Sequence, residues 1–369
     1  MNNDISARDV YKGDAMDTLY SVNYPIYFDN SLDELVQFIE RGKYSRFFVL
    51  TDENTAKHCL PLLQEKLGTN ENYDIIEINA GEESKDIDFC IGVWKMLIDF
   101  GADRQSLLIN LGGGVISDLG GFAASTYKRG IDFVHVPTTL LSQVDASVGG
   151  KTGIDIDSIK NIIGTFTQPK AVFIEYNFIK TLPQRQILSG LAEMLKHGLI
   201  ADAAYWEMLK NSDLSMPGQA LIYLSVAIKN RVVIADPHEK GLRKCLNFGH
   251  TIGHAVETNS LINDKNPLSH GEAIVIGMIC EAYLSYKRTG LTADELKEIT
   301  EVFSKLYPRY QLNESDNETL YDFMLKDKKN QNGRINCTLL AAIGKCSIDN
   351  ICTKDELYDS LRYYRELVF

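Results

Sequence analysis

The sequence predicts an α/β domain built on a mostly parallel sheet, followed by a second domain made almost wholly of helices. Three observations carry this. Short β-branched and aromatic runs alternate with helical stretches through the first half of the chain, and parallel strands need a crossover between them, usually a helix. Beyond about residue 180 apolar residues recur nearly everywhere at helical spacing. The chain has 369 residues, long enough for two domains rather than one.

Taken in order, SRFFVL (45–50), YDIIEIN (73–79), SLLINL (106–111), DFVHVP (132–137) and AVFIEY (171–176) read as buried strands. Between them SLDELVQFIERG, TAKHCLPLLQEKLG and DIDFCIGVWKMLIDFG read as helices. The boundary falls in TLPQ (181–184), where Pro183 suits the first turn of a helix. That gives domains at 1–180 and 181–369, the second carrying one hairpin-like stretch, RINCTLLAAIG.

Composition narrows the function. Apolar residues make up 44% and charged residues 24%, ordinary values for a globular protein. The formal net charge of −12 repels phosphate backbones, so no nucleic-acid partner is expected. An anionic ligand would need positive charge concentrated at its site. No apolar run reaches the roughly 18 residues of a membrane span, since the best candidate, AIVIGMICEAYL, is cut by Glu281. MNNDISARDVYKGD has neither the basic start nor the apolar centre of a secretion signal. Seven cysteines without a C-x-x-C pair suggest reduced thiols and a cytoplasmic setting.

Two stretches suit anions. SLLINLGGGVISDLGGFAA passes from a strand through Gly112-Gly113-Gly114 into a helix. Backbone N–H groups at such a turn can approach a pyrophosphate, and the helix dipole favours its charge. The third glycine of G-x-G-x-x-G falls on Ser117, so the dinucleotide fingerprint is imperfect. In GEESK (81–85), Glu82 and Lys85 could meet a nicotinamide ribose or amide. VDASVGGKTGIDIDSIKNIIG contains GGKT, but Asp145 occupies the first glycine of a Walker pattern, which excludes a nucleotide-triphosphate loop. What remains is Gly149-Gly150-Lys151-Thr152 and Lys160-Asn161, ammonium groups beside a flexible backbone, as a phosphate or carboxylate requires.

A metal site is the third candidate. In NFGHTIGH, His250 and His254 lie four apart, on one helix face. Thr251 stands where a zinc protease carries its glutamate. His270, in LSHGEA, and Glu193, a carboxylate amid apolar residues in SGLAEMLKHG, complete the candidates. A buried carboxylate is costly unless paired or metal-bound. Two imidazoles and one carboxylate leave an open position on a catalytic zinc. Spacing favours His250 with His254 but leaves the choice among the three histidines open.

Set in order, these stretches resemble the 3-dehydroquinate synthase family of sugar-phosphate cyclases. The likeness runs from FVLTDENT (48–55) to AAIGKC (341–346). It rests on GGGVISDLGGF, YKRG, VPTTLLSQVDASVGGKTGID, KNIIG, FIKTLPQRQ, SGLAEMLKHG, GLRKCLNFGHTIGHA, HGEA, KDKK and AIGK. The resemblance implies a Rossmann-like NAD domain, a helical domain, and zinc, for which Co²⁺ or another divalent ion could stand. By the same resemblance the metal ligands are Glu193, His250 and His270, and His254 is a substrate-side residue near the phosphate. It assigns substrate contacts to Asp145, Lys151, Lys160, Asn161, Lys196, Lys229, Glu239, Arg243, Asn247 and Lys345. Arg129, in YKRG, would reach the neighbouring subunit of a homodimer. NAD contacts would be Asp52, Glu82, Lys85, Gly113, Gly114, Val115, Asp118, Thr138 and Thr139, with Lys151 and Lys160 close by. Asp236-Pro237-His238-Glu239 departs from the usual family stretch but keeps its glutamate.

The implied substrate is 3-deoxy-D-arabino-heptulosonate 7-phosphate. Its C5 hydroxyl is transiently oxidised, phosphate is eliminated, the carbonyl is reduced again, and ring opening with aldol closure gives 3-dehydroquinate. The rivals are another sugar-phosphate cyclase and a metal-dependent polyol dehydrogenase of related fold. Arg243 and Asn247 discriminate, because the family uses them on a substrate carboxylate that the rival cyclases' substrates lack.

Overall fold

The computed structural model describes residues 16–68, 72–156, 159–326 and 334–368, which divide into two compact units. A sheet unit holds the described residues up to Pro183 together with Gly218–Pro237; a helical unit holds Gln184–Pro217 and the residues from His238 onward.

The sheet unit runs β1 (Leu19–Tyr20), β2 (Pro25–Tyr27), α1 (Ser31–Gly42), β3 (Phe47–Asp52), α2 (Glu53–His58), α3 (Leu60–Leu67), β4 (Tyr73–Ile78), α4 (Ile87–Asp99), β5 (Leu107–Gly112), α5 (Gly114–Thr126), β6 (Asp132–Pro137), β7 (Lys151–Ile156), β8 (Ile159–Phe166) and β9 (Val172–Phe173). The main sheet has the order β1-β2-β9-β6-β5-β3-β4. Every pairing is parallel except β1 with β2. Strand periodicity sorts the side chains between two cores. Phe47 and Val49 pack with Leu35 of α1 and Leu63 of α3. Phe48 and Leu50 face the other way, onto Val93 of α4 and Leu119 of α5. Helix α5 lies close on β5, since a Cβ at Gly120 would sit 2.1 Å from Asn110 Oδ1.

Three details depart from the sequence reading. TAKHCLPLLQEKLG forms two helices meeting at Cys59, with Pro61 in the first turn of α3; inside one continuous helix that proline would remove a hydrogen bond and clash with the preceding turn. AVFIEY pairs only over Val172–Phe173. The lysine-bearing segment after Gly150 is an antiparallel hairpin, β7 with β8, in which Ile154 faces Ile163.

Helix α6 (Gln184–Ala201) opens the helical unit, followed by α7 (Ala203–Lys210). Helix α8 (Gln219–Ala235) belongs to the sheet unit. Then come α9 (His250–Asn263), α10 (His270–Arg288), α11 (Ala293–Leu306), α12 (Asn317–Leu325), the antiparallel hairpin β10 (Ile335–Ala342) and β11 (Lys345–Cys352), and α13 (Lys354–Glu366). AIVIGMICEAYL lies within α10, and no helix among the described residues is long and apolar enough to cross a membrane. Of KDKK only Lys326 lies among the described residues.

Helices α9 and α10 meet through glycine. A Cβ on Gly277 would lie 1.9 Å from the Gly249 carbonyl oxygen, a backbone atom with no rotamer to yield. Gly277→Ala is therefore expected to destabilise the protein by about 3 kcal/mol or more. Thermal unfolding checks this, and an unchanged midpoint would refute the close-approach argument.

Candidate metal and substrate site

Glu193 lies in the interior of α6, and both it and Lys196, one turn later, are buried as an ion pair. The start of α10 is brought to this helix by Gly271. Its N–H donates to Ser189 Oγ at 3.1 Å, and a Cβ there would strike the Ser189 carbonyl at 2.3 Å. A capping box of Ser269 and Glu272 fixes His270 as the first residue of α10. Arg185 holds Glu272 in turn, at 2.7 Å. On the other flank, the Gly249–Gly277 contact sets α9, with His250 first and His254 one turn on.

The result is a cluster. His250 Nε2 lies 3.7 Å and His270 Nε2 3.8 Å from Glu193 Oε1, and the three ligand atoms all fall within 4.8 Å of one another. A tetrahedral ion with bonds of about 2.0–2.1 Å separates its ligand atoms by roughly 3.3 Å, so this donor set fits a divalent ion with small adjustments. Both imidazoles are oriented through their other nitrogen. His250 Nδ1 lies 3.0 Å from the Phe248 carbonyl, and His270 Nδ1 lies 3.3 Å from Glu257 Oε2. Metal-binding histidines are commonly held this way. Burial opposes charge on His270, but Glu257 and Glu193 outweigh it and push its pKa up to about 9, the mark of a site that attracts cations. His254 stands beside the cluster, its ring 5.1 Å from His250 and 6.0 Å from His270. It forms a second grouping with Glu257 and His270.

Glu257 is a site residue that the sequence reading missed, although it follows His254 by three positions and so shares its helix face. Glu257→Gln is expected to weaken metal binding about 10- to 100-fold. Competition against a chromogenic chelator measures this, and wild-type affinity would remove Glu257 from the site.

Elsewhere in the helical unit, Asn247 Nδ2 donates to Glu239 Oε1 at 2.8 Å, and Glu239 itself takes a left-handed φ of 56°. Arg243 is buried. Lys345 is exposed at the start of β11, just after Gly344, whose φ is 83°.

The sheet unit gathers most of the predicted anion-binding residues at the ends of its strands. Gly113 caps α5 without a side chain of its own, and a Cβ there would come 3.1 Å from Thr139 Cγ2. Thr138 N–H donates to the Gly112 carbonyl at 3.0 Å, tying the β6 loop to the glycine turn. Val115 and Asp118 follow in the first turns of α5. The Asp52 carboxylate accepts from Thr55 N–H at 2.9 Å, capping α2. Lys85 is almost wholly buried and donates to Asp118 Oδ2 and Asn161 Oδ1, both at 2.6 Å. Burial works against its charge, yet Asp118, Glu82 and Asp155 outweigh it and raise its pKa. Lys160 reaches Glu82 at 3.5 Å. The GEESK turn and the KN pair, far apart in sequence, are thus one cluster. Asp145 pairs with Lys229 of α8 at 2.6 Å. Lys151 is exposed at the head of β7, after Gly149 and Gly150 with φ of 111° and 67°; those angles demand glycine whatever the loop binds. Arg129 is exposed beyond α5, with a left-handed φ of 70°.

Two adjoining family profiles match the chain, 3-dehydroquinate synthase N-terminal over residues 75–189 and 3-dehydroquinate synthase C-terminal over residues 190–330. The chain belongs to the 3-dehydroquinate synthase family. The 3-dehydroquinate synthase of Parabacteroides distasonis is 42% identical over 337 residues, covering 90% of this chain and 95% of its own length. That of Ruminiclostridium cellulolyticum is 39% identical over 352 residues, covering 91% and 96%. Among solved structures, the 2-epi-5-epi-valiolone synthase of Streptomyces hygroscopicus subsp. jinggangensis, with NAD⁺ and Zn²⁺ bound, superposes with a TM-score of 0.84. It is 27% identical and covers 96% of this chain and 99% of its own. The fold expected of a 3-dehydroquinate synthase family member, an α/β domain with a parallel sheet and a helical C-terminal domain, is the fold observed.

Proposed function

We propose that this chain converts 3-deoxy-D-arabino-heptulosonate 7-phosphate to 3-dehydroquinate and phosphate, the carbon–oxygen lyase step of aromatic biosynthesis that gives its family its name. The observation that carries the reading is the convergence of Glu193, His250 and His270 in a chain 36–42% identical to 3-dehydroquinate synthases over most of its length.

When bound, NAD would serve as a hydride acceptor that returns what it takes, and zinc, held by Glu193, His250 and His270, as a Lewis acid on the substrate oxygen. Arg243 and Asn247 would hold the substrate carboxylate, with Glu239 orienting the Asn247 amide. In the sheet unit Lys151, Lys160 and Asn161 would bind the phosphate, and Asp145 and Lys229 would contact substrate as a pair. In the helical unit His254, Lys196 and Lys345 would do so, the His254 imidazole keeping the phosphate oriented as it takes a proton from the neighbouring carbon. Much of the acceleration would come from holding one reactive conformer. Asp52, Glu82, Lys85, Gly113, Gly114, Val115, Asp118, Thr138 and Thr139 would form the NAD contacts. The setting is cytoplasmic and the assembly a homodimer into which Arg129 reaches; a monomer on a sizing column would remove that role.

The test is phosphate release from the named substrate with catalytic NAD⁺ and Zn²⁺ while NADH absorbance is followed. Release without NADH build-up, lost on chelation, is the expected result. NADH accumulating without phosphate would make the chain a polyol dehydrogenase. Turnover of sedoheptulose 7-phosphate or glucose 6-phosphate instead would make it a different cyclase.

A further inference from the structure

Glu281 interrupts the most apolar stretch of the chain and is fully buried in α10, eleven residues beyond His270. A carboxylate in that setting must be satisfied, and its partners lie on another helix. It accepts hydrogen bonds from the backbone N–H groups of Gly249 at 2.7 Å, Thr251 at 3.2 Å and Ile252 at 3.4 Å. These surround His250, the first residue of α9, whose cap residue Gly249 offers no side chain. Glu281 therefore does from α10 what an N-cap side chain does locally, and its charge complements the helix dipole.

A serine or aspartate at the cap position could not do the same, because Gly249 has a left-handed φ of 81° and a Cβ there would lie 2.3 Å from Met278 Cγ and 3.0 Å from the Ile274 carbonyl oxygen. A cap supplied by α10 ties the two helices together at the residue that precedes His250. The second tie is the Gly249–Gly277 approach one turn away on the same helix. Helix α10 thus carries His270 at its start and, three turns later, the group that sets where His250 begins. Thr251 adds a bond from its hydroxyl to the Asn336 carbonyl at 3.0 Å.

We infer that Glu281 is a positioning residue for the metal site, presetting His250 against His270 and Glu193 before a metal binds. This rests on the reading that those three residues hold the metal. The probe is Co²⁺ titrated into metal-free full-length protein, by chelator competition and by visible absorption. Glu281→Gln keeps the shape but turns an acceptor into a donor facing N–H groups. It is expected to weaken Co²⁺ binding at least about tenfold and to alter the Co²⁺ spectrum, with NAD⁺ affinity unchanged. A folded Glu281→Gln protein with wild-type Co²⁺ affinity and spectrum would overturn the inference and leave the metal site standing. His250→Ala separates the two: if that variant binds Co²⁺ as wild type does, the metal reading itself falls, and this inference with it. If Glu281→Gln does not fold, hydrogen exchange in the metal-free wild type decides. Protection at 249–252 supports a preset helix end, and free exchange there refutes it.

Discussion

Glu193→Ala is expected to lose turnover about a thousandfold or more and, independently, to lose about 3–5 kcal/mol of stability. The first effect follows from the cluster with His250 and His270: a Lewis acid supplies several kcal/mol of transition-state stabilisation, and each 1.4 kcal/mol is about tenfold in rate. The second follows from Lys196, 1% exposed and paired with a wholly buried Glu193. Removing the carboxylate strips a buried ammonium of its counter-charge, which costs far more than an intact buried pair contributes. The double replacement Glu193→Leu with Lys196→Met separates the effects. It should recover most of the stability, because apolar side chains of similar volume replace a buried pair at little cost, while metal binding and turnover stay lost. Chemical denaturation and metal analysis of the two proteins read this directly. A Glu193→Ala protein that is unstable yet binds metal like the wild type would reduce Glu193 to a structural partner of Lys196.

Much of this architecture is legible from residue order. Short β-branched and aromatic runs between helical patterns place four of the five expected strands closely, at Phe47–Asp52, Tyr73–Ile78, Leu107–Gly112 and Asp132–Pro137. Three of these are buried along nearly their whole length, while the edge strand Tyr73–Ile78 is only partly buried. The hairpin of Lys151–Phe166 was not legible as strands. Its lysines, glycines and exposed Ile162 and Ile163 carry no alternation, and it pairs only with itself. Pro61 was visible, but whether it kinks or splits a helix depends on packing that the local sequence does not contain. The metal site divides the same way. His250 and His254 are the natural pair by spacing, yet the grouping with Glu193 and His270 depends on two backbone approaches, at Gly271 and Gly277. Glu257 shares a face with His254 and could have been found by counting. Glu281 could be noticed only as an oddity, because the amides it serves lie on another helix.

Lys151→Ala is expected to abolish most turnover while leaving NAD⁺ binding within about twofold and stability within about 0.5 kcal/mol. The contrast with Lys85 makes the reason plain. Lys85 is 5% exposed and locked between Asp118 and Asn161, so Lys85→Met should weaken NAD⁺ binding and also cost about 3–5 kcal/mol, leaving Asp118 without its counter-ion. Lys151 is exposed at the head of a hairpin, where truncating a solvated side chain usually costs little stability. On the proposed function its charge would serve an anion. A charge-assisted hydrogen bond to phosphate is worth about 1.5–3 kcal/mol, and the group it would hold is the one that leaves. The loss should therefore fall on kcat as well as KM, by about 10²-fold overall in kcat/KM. Titration calorimetry with NAD⁺ beside steady-state phosphate release makes the comparison. Normal turnover in Lys151→Ala would remove the hairpin from the phosphate site, and an equal loss of NAD⁺ binding in both variants would mean that the two lysines serve one ligand rather than two.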